Sequence, residues 1–159
     1  MPPIEYIGRI KATAPCGAYI RPKIWTRWNK FHGGPFHVMA TRARPQILIV
    51  EDEVLIRVFL SDVLEDVGFK TRQAANADEA LELLQVDEFA AVVSDIEMPG
   101  KTTGLDLAWT IDRKWPRTGL VLLSGRQLPS PVRMPAKARF LAKPWNIDTL
   151  LQAVKDVLA

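Results

Sequence analysis

The chain has 159 residues but one cysteine, Cys16, and only two histidines. A single cysteine excludes an intramolecular disulfide and fits a reducing compartment, so we expect a cytoplasmic protein. Three irregularly spaced residues, Cys16, His32 and His37, do not form a metal-binding pattern. No apolar run approaches the roughly 20 residues that cross a bilayer, and the N-terminus has no long apolar signal segment. We therefore expect no membrane partner.

Charge is distributed unevenly. Residues 1–44 carry a net charge of +7 and the remainder −4, within a total of +3. The first stretch has five prolines and no helical or strand periodicity, so we expect a basic, disordered N-terminal extension (1–44), with Met39 as an alternative start, followed by one domain (45–159). Basic residues interleaved with aromatics leave a nucleic-acid-binding arm as an alternative, although we do not expect nucleic acid as a partner. Removing residues 1–38 is expected to leave the melting temperature nearly unchanged.

Apolar strands alternate with amphipathic helices from residue 46 onward. The strands are predicted at 47–50, 69–74, 89–93, 120–123 and 139–142. The first helix has an apolar face made of Ile56, Phe59, Leu60, Val63 and Val67, and Asn76 and Asn146 stand where later helices begin. This alternation predicts an α/β fold with a doubly wound parallel sheet.

Polar side chains follow four of these strands, all of which we expect to be buried. They are Glu51 and Asp52, then Asp95, Ser124 and Lys143. The carboxyl ends of parallel strands meet at one edge, so these groups should form one site. Three neighbouring carboxylates repel one another unless a hard cation such as Mg²⁺ binds, while a lysine and a hydroxyl suit an anion. The set fits phosphoryl transfer with a carboxylate nucleophile, for which we select Asp95.

Four ordered motifs resemble those of the response-regulator receiver domain of bacterial two-component signalling. They are IVEDE ending at Glu53, DIEMP from Asp95 to Pro99, LLSG ending at Gly125 and FLAKP ending at Pro144. The resemblance covers residues 45–159 and implies a flavodoxin-like, five-stranded sheet of order 2-1-3-4-5. The interval between Ser124 and Lys143 is short and contains three prolines, so we expect the family's fourth helix to be shortened or absent.

The resemblance also implies roles for individual residues. Asp95 corresponds to the phosphoacceptor, while Lys143 and Ser124 hold the phosphoryl oxygens. Magnesium would be held by Asp52, Asp95, the backbone carbonyl of Glu97 and, through water, Glu51. Ser124 and Phe140 correspond to the pair that changes position on phosphorylation, and Pro144 to a proline that follows a cis peptide bond.

The function implied by the resemblance is that of a stand-alone, phosphorylation-dependent switch in a phosphorelay. Such a protein accepts a phosphoryl group from a histidine kinase or phosphotransfer protein and signals by contacting a downstream protein. It is not an enzyme beyond its own magnesium-dependent phosphorylation and dephosphorylation. The alternatives are a protein-interaction module that does not use phosphate, and a receiver with a nucleic-acid-binding N-terminal arm.

Overall fold

The computed structural model describes residues 44–125 and 134–159. Five strands form one sheet: β1 Gln46–Val50, β2 Lys70–Ala74, β3 Ala91–Asp95, β4 Gly119–Ser124 and β5 Ala138–Ala142. Four helices connect or follow them: α1 Val54–Asp66, α2 Ala77–Val86, α3 Gly104–Lys114 and α4 Ile147–Leu158. All strand pairs are parallel, and the order β2-β1-β3-β4-β5 confirms the predicted fold class.

Two predictions concern residues outside this description. The basic N-terminal extension coincides almost entirely with residues 1–43, and the shortened fourth helix of the family concerns mainly residues 126–133. Both stay predictions. Within the described ranges, no helix combines the length and the apolar character needed to cross a membrane.

The three inner strands are buried because helices cover both faces of the sheet. Strands β3 and β4 are buried at every position, and β1 at every position after Gln46. This explains their nearly continuous apolar sequence. Strand β2 lies at one edge, as its half-polar sequence suggests. The expectation that the last strand is buried is wrong, since β5 forms the other edge and is only partly covered.

Side chains alternate between the two faces along each inner strand and so divide the core into two layers. The first layer contains Leu48, Val92 and Leu122 and packs against α2 and α3. The second layer contains Ile49, Val93 and Leu123 and packs against α1 and α4. The sheet thus separates two apolar clusters.

The buried face of α1 matches the predicted one except at Phe59. Four of the five predicted residues pack in the second core layer: Ile56, Leu60, Val63 and Val67. Leu60, Ser61 and Leu64 are buried, whereas Phe59 is 45% exposed. The prediction missed Ser61 because a serine does not stand out in an apolar pattern. The Ser61 hydroxyl lies 2.6 Å from the Thr71 hydroxyl of β2. Apolar residues therefore occur on both sides of this helix.

Side chains cap three of the four helices in the described part of the chain. Asn76 accepts a hydrogen bond from the Glu79 amide and Asn146 from the Thr149 amide, each at 2.8 Å, as their positions in the sequence predicted. Thr103 and Asp106 form a reciprocal capping box at α3 that sequence reasoning missed. Helix α1 begins without a side-chain cap.

Candidate functional site

The predicted polar residues lie together at the carboxyl ends of the strands. Asp95 and Ser124 are the last residues of β3 and β4, and Glu51 and Lys143 directly follow β1 and β5. Asp95 pairs with Leu123, the neighbour of Ser124. The Lys143 amide donates to the Ser124 carbonyl at 2.7 Å. Residues 92 positions apart therefore share one site because of strand order alone.

Three carboxylates meet at this edge. One oxygen from each of Glu51, Asp52 and Asp95 lies within 4.8 Å of the others. Glu51 and Asp95 are only 1% and 4% exposed, and Asp52 is more accessible than either. Burial raises the pKa of Glu51 above its usual range, and the nearby charge of Asp95 raises it further. These carboxylates therefore need positive charge nearby.

Lys143 supplies part of that charge. Its Nζ lies 2.5 Å from Asp95 Oδ2 and 3.3 Å from Glu51 Oε2. Partial burial on its own lowers the pKa of Lys143, but the hydrogen bond and the charge of Asp95, together with Glu51, outweigh it and leave this pKa raised. The lysine therefore stays protonated at neutral pH, and the site holds a cation against its most buried acids.

Backbone and side-chain contacts fix the loops around the site. The Glu97 amide donates to Asp95 Oδ1 at 3.0 Å, and the Gly125 amide donates to Glu97 Oε2 at 3.1 Å. The Arg57 guanidinium, from α1, donates to the carbonyls of Glu51 and Asp52. Sequence reasoning missed the roles of Arg57 and the Glu97 side chain because neither stands in an apolar pattern.

Gly104 begins α3 directly against the backbone of Asp95. A Cβ atom at this position would lie 1.9 Å from the Asp95 carbonyl oxygen, which no side chain permits. The glycine therefore allows α3 to begin against the end of β3. Its requirement is invisible in the sequence, because the contact spans nine positions and depends on how the loop folds back.

The two predicted switch residues lie on neighbouring strands. Ser124 is 1% exposed at the end of β4, while Phe140 in β5 is half-buried and packs against the first core layer. Phe140 pairs with Leu122, and Ser124 pairs with Ala142, so two ladder positions separate them. The Lys143–Pro144 peptide bond is cis, as the resemblance implied.

The donor set at this edge suits Mg²⁺. It consists of oxygen atoms only, from carboxylates and nearby carbonyls, which a small, hard cation prefers over nitrogen or sulfur ligands. The three clustered carboxylates supply more negative charge than Lys143 neutralises. The residues present therefore fit the cation that the sequence predicted.

A parallel 2-1-3-4-5 sheet with an acid cluster and a lysine at its carboxyl edge defines a receiver-type signalling domain. The family model described as response regulator receiver domain matches residues 47–155, and the chain belongs to this family. It is therefore a domain of two-component signalling, in a family whose members bind Mg²⁺ in an acidic pocket and interact with histidine kinases or phosphotransfer proteins.

Individual proteins agree with this assignment. The chain is 33% identical over 113 residues to the transcriptional regulatory protein PdtaR of Mycobacterium tuberculosis, covering 69% of this chain and 55% of that protein. It is 32% identical to a putative NtrX-like response regulator of Rickettsia bellii, covering 69% of this chain and 24% of that one. The chain thus spans about half or less of the length of these relatives.

Solved receiver structures are matched over nearly their whole length. The response regulator TrrA of Thermotoga maritima, in complex with Mg²⁺ and BeF, is 32% identical with a TM-score of 0.66, over 72% of this chain and 99% of that one. Chemotaxis protein CheY4 of Vibrio cholerae is 29% identical with a TM-score of 0.67, over 73% of this chain and 100% of that one. Both likenesses support the same fold.

Proposed function

We propose that this protein is a cytoplasmic phosphorylation switch in which Asp95 accepts a phosphoryl group from a histidine kinase or phosphotransfer protein. One observation carries the proposal: the buried Asp95 carboxylate is held between the Lys143 ammonium and the Glu51–Asp52 acid pair, at the carboxyl ends of the strands. The Lys143 ammonium contacts one oxygen of this carboxylate, Oδ2, at 2.5 Å. The other oxygen accepts from the Glu97 amide.

The bonds that change in the transfer step belong only to the phosphodonor and Asp95. A carboxylate oxygen of Asp95 attacks phosphorus, a P–O bond forms, and the P–N bond to the donor's imidazole breaks with its electron pair left on nitrogen. The product is an acyl phosphate. Lys143 and the Ser124 hydroxyl then bind phosphoryl oxygens, so that charge developing in the transition state meets fixed donors.

Magnesium would be held by Asp52, Asp95 and the Glu97 carbonyl, with Glu51 bound through water. The ion would neutralise negative charge on the phosphoryl oxygens and on the carboxylates that surround them. Output would begin when Ser124 moves toward the phosphoryl group and Phe140 takes the space it leaves. Hydrogen exchange at residues 125–142 should then change when a phosphate mimic binds, and Ser124→Ala should uncouple that change.

A protein donor is favoured over a small molecule by the surface beside the site. Helix α1 exposes four apolar side chains, which we call the exposed stripe: Val54, Leu55, Val58 and Phe59. They form two pairs, 54 with 58 and 55 with 59, and the members of each pair lie one helical turn apart. The Phe59 ring stacks on Trp145, two residues after Lys143, with 6.4 Å between ring centroids. A contiguous apolar surface of this kind marks a protein contact. A donor protein that presents its imidazole to Asp95 must cover this surface.

The test is incubation with acetyl phosphate and Mg²⁺ followed by measurement of the intact mass. The wild type should gain one phosphoryl group, and Asp95→Asn should gain none because its amide cannot act as the nucleophile. Asp52→Ala should weaken Mg²⁺ binding, since a charged ligand is lost. A wild type that gains nothing would favour the phosphate-independent interaction module instead, and undiminished labelling of Asp95→Asn would remove Asp95 from its role.

A further inference from the structure

The Glu97 side chain connects the loop after β3 with the end of β4. Its Oε2 accepts a hydrogen bond from the Gly125 amide at 3.1 Å, and its own amide donates to Asp95 Oδ1 at 3.0 Å. One residue therefore contacts both the proposed phosphoacceptor and the first amide beyond β4. Both Glu97 and Gly125 are exposed, so this contact lies at the entrance of the site.

The Gly125 amide is fixed in position by the neighbouring strand. The preceding residue, Ser124, is buried, and its carbonyl accepts from the Lys143 amide at 2.7 Å. An oriented N–H is a donor for any anionic oxygen, whether from a carboxylate or a phosphoryl group. The amide cannot serve two anions well, because like charges that share a donor repel each other.

The glycine itself provides room for this carboxylate. A Cβ atom at position 125 would lie 3.1 Å from Glu97 Oε2, which is closer than an ordinary contact. Glycine at this position therefore lets the carboxylate approach the amide without displacement. The contact thus depends on two residues from different loops.

We propose that the Glu97 carboxylate is an internal competitor of the phosphoryl group for the Gly125 amide. It occupies the amide when Asp95 carries no phosphoryl group and leaves when phosphoryl oxygens arrive. The inference rests on the proposed function, and it gives Glu97 a positioning role in which no covalent bond changes. Glu97 would lower the affinity of the site for anions and hold the β4 end until phosphorylation releases it.

The first test compares affinities for beryllofluoride at fixed Mg²⁺ concentration among the full-length wild type, Glu97→Gln, Glu97→Ala and Glu82→Ala. Both changes at position 97 keep the backbone carbonyl. Glu97→Ala should bind about three- to tenfold more tightly than the wild type because the competing hydrogen bond is gone. Glu97→Gln should fall between them, since its amide oxygen still accepts. Glu82→Ala removes an equal charge from an exposed position on α2 and should match the wild type.

The second test records the Gly125 amide proton by NMR without Mg²⁺ or fluoride. The resonance should move upfield in Glu97→Ala and stay unchanged in Glu82→Ala. Equal or weaker beryllofluoride binding by both position-97 variants, or an unmoved Gly125 resonance, would overturn this inference alone. A wild type that binds no beryllofluoride at all would overturn the proposed function, and the inference with it.

Discussion

Helices α2 and α3 cover one face of the sheet, and α1 and α4 cover the other, but α1 differs from the other three. Asn76 caps α2 and the Thr103–Asp106 box caps α3, while α1 begins with no side-chain cap. Four large apolar residues are exposed on α1, against one on each of the other three helices.

The difference follows from where α1 begins. The residues before it, from Glu51 to Glu53, connect the end of β1 to the site, so Glu51 and Asp52 are positioned for the acid cluster rather than for capping. The exposed stripe adds apolar surface that the core does not use. Helices α2 and α3 therefore serve mainly stability, whereas α1 carries surface that we assign to recognition.

The largest expected change in the free energy of unfolding distinguishes the buried face of α1 from its exposed face. Leu60→Ala should lower the free energy of unfolding by about 2–5 kcal/mol, because it opens a cavity in the second core layer. Leu55→Ala should change it by less than about 0.5 kcal/mol, since Leu55 is 83% exposed. Urea unfolding of both variants checks this. Similar losses for the two would contradict the distinction between the faces of α1.

The next effect concerns the acid cluster. Glu51→Gln should stabilise the Mg²⁺-free protein at pH 7 by on the order of 1 kcal/mol, because burial and Asp95 raise the pKa of Glu51. A raised pKa means that this group's stabilising contribution is complete below its ordinary value of 4.5 and is lost as pH rises through the folded value. The advantage of Glu51→Gln should therefore appear above about pH 4.5.

Chemical denaturation between pH 4 and 8 measures this difference. Addition of Mg²⁺ should stabilise the wild type more than the variant, because the variant has lost one carboxylate. If Glu51→Gln were less stable than the wild type at pH 7 without Mg²⁺, the Lys143 contact would outweigh the cost of burying Glu51.

A smaller effect tests the caps. Thr103→Ala should lower the free energy of unfolding by about 1 kcal/mol, while Glu53→Ala, at the uncapped start of α1, should have almost no effect on the Mg²⁺-free protein. Hydrogen bonds from Thr103 lower the pKa of Asp106. Their stabilising contribution is present above the ordinary value of 3.8 and is lost as pH falls through the folded value. Thr103→Ala should therefore weaken the decrease in stability at acidic pH. Equal losses of unfolding free energy in Thr103→Ala and Glu53→Ala would contradict the contrast between the capped and the uncapped helix.

The substitution with the smallest expected effect on stability should have a large effect on function. Leu55→Ser should leave unfolding and acetyl phosphate labelling unchanged but reduce transfer from any phosphorylated histidine kinase that labels the wild type. Val86→Ser is the matched control, since Val86 is 76% exposed on α2, on the other face of the sheet. Loss of transfer in both variants, or in neither, would remove the exposed stripe from donor recognition.

The sequence predicted most of the fold because inner parallel strands must be apolar throughout and polar breaks mark their ends. Asp95 and Lys143 stand out for this reason. Strand β5 was predicted at the right place, but its full burial was predicted wrongly, since Phe140 and Leu141 look like buried residues although the strand lies at an edge of the sheet. The predicted buried face of α1 was right at four of its five residues and missed Ser61, because a serine does not stand out in an apolar pattern.

The contacts that could not be predicted join separate loops. The Glu97 carboxylate meets Gly125, 28 positions away, and Gly104 packs on the Asp95 backbone. Neither contact leaves a periodic or compositional signal, because each depends on the path of a loop after the strand has ended. The sequence thus located the charged groups of the site but not the positions of the loops around them.

The central claim is that Asp95 forms an acyl phosphate, and chemical trapping tests it most directly. After incubation with acetyl phosphate and Mg²⁺, hydroxylamine should convert the phosphorylated carboxyl group to a hydroxamate, which fragmentation of the digested peptides would locate. We predict one hydroxamate, at Asp95, and none in the Asp95→Asn variant. A hydroxamate at Glu51 or Asp52 in the wild type, or none at all, would contradict the account.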